Sequence, residues 1–134
     1  MIRRTIAATL AVAALSAAVP AAEPATAWSG QCTRYEPLLR TYAPRGGWDI
    51  NRMSYYMWRE SRCLPWVVNV TGNDTGLLQF HPITWPWIAH KFRIPLWRVQ
   101  AWLKDPANNV RAGAALCTFW RSAGRSCYQP WRIG

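Results

Sequence analysis

Two features of the chain can do chemistry together. One is the pair Glu60-Ser61 closing a predicted helix, and the other is the glycine-led turn Gly76-Leu77-Leu78-Gln79-Phe80 that follows it. A lone glutamate in apolar surroundings keeps its proton near neutral pH, and a donor of that kind is what cleavage of a glycosidic bond requires. Counting about 100° per residue from Ile50, Met53 falls near 300°, Met57 near 340° and Ser61 near 20°, with Glu60 near 280° at the edge of that apolar stripe. On the same wheel Arg59 and Arg62 project near 180° and 120°, away from the carboxylate. This matters because a neighbouring cation favours an ionised carboxylate, whereas desolvation favours the neutral acid. The competing reading makes Glu60 a solvated helix-end residue paired with an arginine.

The other acids have structural work to do. Glu36 and Asp49 stand at predicted helix starts and Asp105 at a capping position. Asp74 lies among turn formers, and its functional alternative is a second carboxylate that orients water or steadies positive charge on a sugar. Nucleophilic catalysis has little support, because there is no G-x-S-x-G elbow and neither His81 nor His90 has an evident triad partner. Phosphate-cradling and dinucleotide-binding glycine patterns are also missing. No metal site and no cofactor is expected, since the histidines lack companions at zinc-ligand spacing.

The elements that must hold Glu60 are mainly helical. A first helix is expected over Thr33 to Tyr42, with Pro37 in its opening turn and Pro44-Arg45-Gly46-Gly47 ending it. Asp49 caps a second, Ile50 to Ser61, and an irregular stretch with a short hairpin near Val67 to Val70 follows. Thr84 caps a third helix through Phe92, and a turn of helix is expected at Leu96 to Leu103. Asp105-Pro106 starts the last helix, which runs to about Arg121 with Val110, Ala114 and Cys117 inward and Gly124 near its end.

Residues 1–27 read as a secretory signal: Arg3-Arg4, an apolar run from Ile6 to Val19, and the A-x-A site Ala25-Thr26-Ala27. The apolar run is shorter than the ~20 residues of a spanning helix. Residues 28–134 then form one domain with one modest core. Cys32, Cys63, Cys117 and Cys127 all lie in that part, an even count that reads as two disulfides. Of the three connectivities, Cys32–Cys63 with Cys117–Cys127 is favoured, because the first bridge ties the opening segment to the end of the Glu60 helix.

The chain carries 16 Lys+Arg against 6 Asp+Glu. Such a balance draws a protein to polyanions such as wall polymers or membrane surfaces, and an exported chain meets those first. Nucleic acid is not the expected partner, because no dedicated motif accompanies the charge.

Taken together, these blocks resemble the lytic transglycosylase (SLT-type) branch of the lysozyme-like superfamily over roughly Ile50 to Gly124. The family's glutamate-serine pair stands as Glu60-Ser61, and its Gly-Leu-x-Gln signature as Gly76-Leu77-Leu78-Gln79, followed by Pro82 and Thr84. Near the last helix its Asp-Pro, Asn-Ile and Ala-Gly stand as Asp105-Pro106, Asn109-Val110 and Ala112-Gly113. Phe80 with Thr84-Trp85 is also similar to resuscitation-promoting factors. The resemblance implies a small lysozyme-like helical domain whose groove binds peptidoglycan glycan strands. It implies Glu60 as catalytic acid and base, with Gln79, Ser61, Asn69, Asp74, Asn109 and Trp85 around the substrate. Trp66 and Trp87 are further candidates for sugar stacking, with core packing as the alternative for most tryptophans.

One departure bears on the product. Leu116 stands where family members often carry tyrosine, so a hydroxyl often found near the glutamate is missing. The expected activity is cleavage of the MurNAc–GlcNAc β-1,4 bond by a secreted or wall-associated monomer, with 1,6-anhydro ends. The alternatives are a hydrolytic muramidase and a non-catalytic cationic wall-binding protein.

Overall fold

The computed structural model of the chain describes residues 11–14 and 26–132. Most of the expected signal segment lies outside the described residues. None of the described helices is long and apolar enough to cross a membrane.

Five α-helices are present among the described residues: α1 (Glu36–Gly46), α2 (Ile50–Ser61), α3 (Trp85–Phe92), α4 (Val99–Leu103) and α5 (Pro106–Ser122). Short 3₁₀ turns lead into α1, α3 and α4, and another, Gln129–Trp131, follows α5. The fold is therefore mainly helical, as the punctuation of the sequence implied. Both ends of α2 match expectation. Asp49 accepts a hydrogen bond from the Arg52 N–H at 2.8 Å, and Arg62 ends the helix in the left-handed conformation. Asp105 caps α5 in the same way, accepting from the Asn108 N–H at 3.0 Å, with Pro106 in the first turn.

One boundary and one cap differ from expectation. Pro44 lies inside α1 rather than stopping it, and the helix closes at Gly47, whose φ is 69° and whose N–H reaches the Ala43 carbonyl at 2.7 Å. A proline in the last turn forfeits one intrahelical bond without forcing the remaining residues out of register. Thr84 precedes α3 but makes no capping bond. Its hydroxyl donates instead to the His81 carbonyl, and the His81 ring nitrogen accepts from the Ile83 N–H.

The segment between α2 and α3 holds two antiparallel bridges, Val68 with Thr75 and Thr75 with Phe80, and no longer strand among the described residues. Paired bonds between Thr75 and Phe80, both 3.1 Å, fold Gly76 to Gln79 into a tight turn. The core is built from helix faces closed over this turn. Leu39, Met53, Met57, Leu77, Leu78, Ile88, Leu103 and Val110 are fully buried. Along α2 the buried positions Ile50, Met53, Ser54, Met57 and Ser61 follow the spacing of one helical face. Each such buried methionine contributes about 1.5–3 kcal/mol by removing apolar area from water.

Both disulfides form with the expected partners. Cys32–Cys63 fastens the start of the domain to the residues just past α2, and Cys117–Cys127 fastens the segment after α5 back onto that helix. In the chain-entropy model, closures of these lengths contribute about 3 kcal/mol each.

Candidate active site

Glu60 occupies the last turn of α2 with a quarter of its side chain exposed (26 %), while its neighbour Ser61 is buried. The helix therefore presents the carboxylate at the protein surface and turns the hydroxyl inward. The Ser61 hydroxyl donates to the Met57 carbonyl at 3.0 Å, a bond back along the helix. Ser61 thus fixes the end of α2 and does not face solvent.

The cation beside Glu60 is a correction to the helical-wheel expectation. Arg59 does not project away: one of its terminal nitrogens (Nη2) donates to Glu60 Oε1 at 2.8 Å. Adjacent helix residues do not ordinarily face each other. The long side chain is swept across the helix end by two other contacts, its guanidinium lying 5.0 Å from the Tyr56 ring centre and donating to the Trp131 carbonyl. The hydrogen bond that Arg59 donates to Glu60, opposed by partial burial, pushes the guanidinium above its ordinary value. Arg62 behaves as expected and stacks on Trp58 at 4.0 Å. Glu60 is thus paired with an arginine through Oε1, as the competing reading had it, and no hydrogen bond among the described residues engages Oε2.

The turn Gly76–Gln79 is held by groups that sequence resemblance assigned to the substrate. Asn109 is fully buried, and its side chain makes three hydrogen bonds to backbone: it accepts from the Leu78 N–H at 2.9 Å and donates to the carbonyls of Leu103 at 2.9 Å and Thr75 at 3.3 Å. With every polar atom engaged inside the protein, Asn109 supports the turn from behind and offers nothing to a sugar. Gly76 is the other requirement of the turn. Its φ is 83°, and a Cβ there would collide with the Asn109 amide and the Leu103 carbonyl.

Gln79 adopts a left-handed φ of 48°, and its amide donates to the carbonyls of Gly76 at 2.9 Å and Val67 at 3.1 Å, joining the turn to the preceding loop. Asn69 is exposed, and its side chain accepts from the Thr71 N–H at 2.8 Å, which is a turn-making contact. Asp74 is half-buried, with its Oδ1 shielded from water and unpartnered. No hydrogen bond among the described residues connects Asp74 with Glu60.

Trp85 is half-buried against the core and donates its indole N–H to the Phe80 carbonyl at 3.3 Å. Trp66 is 62 % exposed, and Trp87 lines an apolar pocket of ≈ 300 Å³ together with Ile83, Thr84, Leu116, Phe119, Trp120 and Pro130. Leu116 thus replaces the expected hydroxyl with a wall of that pocket. Among the described residues no group of three or more histidine, cysteine or acidic side chains is placed to hold a metal ion.

Sequence reasoning missed Trp131. It is 4 % exposed, its carbonyl receives Arg59, and its indole N–H donates to the Leu78 carbonyl at 2.8 Å. Nothing in local composition distinguishes it from the nine other tryptophans. Only its long-range contacts single it out.

No curated protein and no solved structure matches the chain. One family model does, the transglycosylase SLT domain, over residues 40–121. That span holds the Glu60 helix, the Gly76–Gln79 turn and nearly all of α5. Because the match covers more than half of the chain, the protein belongs to the transglycosylase SLT domain family, whose members are lytic transglycosylases acting on peptidoglycan.

Proposed function

We propose that this is an exported enzyme that breaks the MurNAc–GlcNAc β-1,4 bond, using Glu60 as both acid and base and leaving 1,6-anhydro ends. The observation that carries this reading is the contrast within the site. Ser61 and Asn109 are buried and satisfied, whereas Glu60 alone of the family-matched polar pair reaches the surface with one oxygen uncommitted.

In the first step a proton carried on Oε2 passes to the glycosidic oxygen, and the bonding pair leaves with the GlcNAc O4. Arg59 steadies the carboxylate this creates, through the contact already present at Oε1. In the second step the carboxylate takes the proton of the muramic C6 hydroxyl as that oxygen bonds to the anomeric carbon. No water is consumed, and Glu60 ends protonated, as it began. The uncommitted oxygen is the one that must exchange protons in both steps, which the one-sided Arg59 contact allows. The turn Gly76–Gln79, braced by Asn109, would form the facing wall, with Gln79 beside the strand.

The positive charge of the chain supports a wall-bound location, because it favours encounter with anionic polymers and weakens as salt rises. We place the protein outside the cytoplasm, acting as a monomer after removal of residues 1–27.

Purified peptidoglycan sacculi test the reading. Glu60→Gln preserves the shape of the side chain and should lower release of soluble fragments about 10²–10⁴ fold, the range of general acid catalysis. Release by the variant equal to wild type would remove Glu60 from the mechanism. Mass spectrometry of the fragments reads the product: anhydro ends support the ring-closing step, and reducing ends replace it with hydrolysis. Wall binding by both proteins without fragment release would leave the cationic binding module in its place.

A further inference from the structure

We infer that Trp131, ten residues beyond the family match, is a positioning residue that holds Glu60 and the Gly76–Gln79 turn in register. The inference rests on the reading of Glu60 as the acid.

Two groups of one residue reach the two halves of the site. The Trp131 carbonyl accepts from Arg59 Nη2, the same nitrogen that donates to Glu60 Oε1. The Trp131 indole N–H donates to the Leu78 carbonyl at 2.8 Å, in the middle of the turn. Leu78 is also the residue whose N–H is bound by Asn109, so its peptide groups are fixed from both sides. A shift of Trp131 would move Arg59 and the turn together.

The segment that carries Trp131 is built to resist such a shift. Cys117–Cys127 ties its start to α5, and the Trp131 N–H closes a turn on the Tyr128 carbonyl at 2.9 Å. Tyr128 is anchored at the opposite end of α2: its hydroxyl accepts from the Asp49 N–H at 2.7 Å, and its ring stacks on Tyr56 with centres 5.6 Å apart. Tyr128 and Trp131 therefore brace both ends of the helix that bears Glu60. The indole N–H is buried, so its bond to Leu78 is not interchangeable with one to water.

Packing and positioning make opposite predictions for two variants of the full chain. Trp131→Phe keeps an apolar ring and loses the donor, whereas Trp131→His gives up volume and keeps a ring N–H. If Trp131 positions the site, kcat on sacculi falls about tenfold in Trp131→Phe with KM held within about twofold, and Trp131→His recovers part of that loss. Phenylalanine outperforming histidine, or wild-type kcat in Trp131→Phe, overturns the inference.

Arg59→Lys keeps the charge and loses the forked geometry at a partly exposed position, so it carries the test if the Trp131 variants do not fold. Its kcat should fall with KM held, and in combination with Trp131→Phe the two losses should be less than multiplicative. Unchanged kcat in Arg59→Lys, or fully multiplicative losses, also overturns the inference. Glu60→Gln in the same assay separates the two claims. An active Glu60→Gln defeats the reading of the site, whereas an inactive Glu60→Gln beside a fully active Trp131→Phe defeats the positioning role alone.

Discussion

Replacing Asn109 tests whether the Gly76–Gln79 turn is held from behind by one amide. In Asn109→Ala the Leu78 N–H loses its acceptor, the Leu103 carbonyl loses its donor, and the Thr75 carbonyl keeps only the Phe80 N–H. A buried N–H left without a partner costs about 1–3 kcal/mol, and each lost donor bond about 0.5–1.5 kcal/mol. The total spans about 2–6 kcal/mol against a stability of about 5–15 kcal/mol for a domain of this size. The loss should thus be large but compatible with a folded protein. Asn109→Asp sharpens the test. It keeps an acceptor for Leu78 but points a carboxylate oxygen at two carbonyls, so at neutral pH it should be at least as unstable as the alanine variant. On acidification it should recover relative to Asn109→Ala, because a protonated carboxyl can donate to one of those carbonyls. Urea denaturation followed by tryptophan fluorescence measures both, with sacculus digestion assayed on the same preparations. A loss below about 1 kcal/mol in Asn109→Ala would refute the bracing argument. Wild-type stability of Asn109→Asp at neutral pH would do the same.

Two further predictions concern stability. Gly76→Ala combines a left-handed backbone with a collision against Asn109 and the Leu103 carbonyl, and should cost about 2–4 kcal/mol in urea denaturation. A loss within about 0.5 kcal/mol of zero would mean the turn relaxes freely. Tyr128 titrates above an ordinary phenol, chiefly because burial disfavours its charged form, with the Asp49 N–H and Arg52 opposing. Its stabilising contribution is complete below the unfolded value of about 10 and falls as pH rises from there through the higher folded value. Tyr128→Phe should lower stability at neutral pH by removing the acceptor for Asp49, yet show a shallower decline above about pH 10 than wild type. Parallel alkaline slopes in the two proteins would contradict this.

Much of the scaffold was legible because its signals are local. Asp49 and Asp105-Pro106 mark helix starts through side chains that cap N–H groups three residues away, and those bonds form. The apolar spacing of α2 defined its buried face and left Glu60 at the edge of it. Gly76 was legible as the head of a turn, although the reason it must be glycine lies in residues far along the chain. Of the three disulfide connectivities, the one favoured because Cys32–Cys63 ties the opening segment to the end of the Glu60 helix is the one that forms.

The details of the site were set elsewhere. A helical wheel gives the direction in which Arg59 leaves the backbone, but a flexible side chain ends where its partners are, and one of them is the Trp131 carbonyl 72 positions later. Asn109 reads from sequence as a polar residue near the substrate. Its burial is decided by the packing of α5 against a turn 31 positions earlier. By itself, the sequence determined which residues could carry a proton and on which helices they stand, since capping, periodicity and turn chemistry act over a few residues. Only the tertiary structure decided which of those groups face water, which are consumed in bracing, and that the Glu60 carboxylate rests against a guanidinium. Those outcomes depend on contacts between segments distant in the chain, which no local pattern encodes.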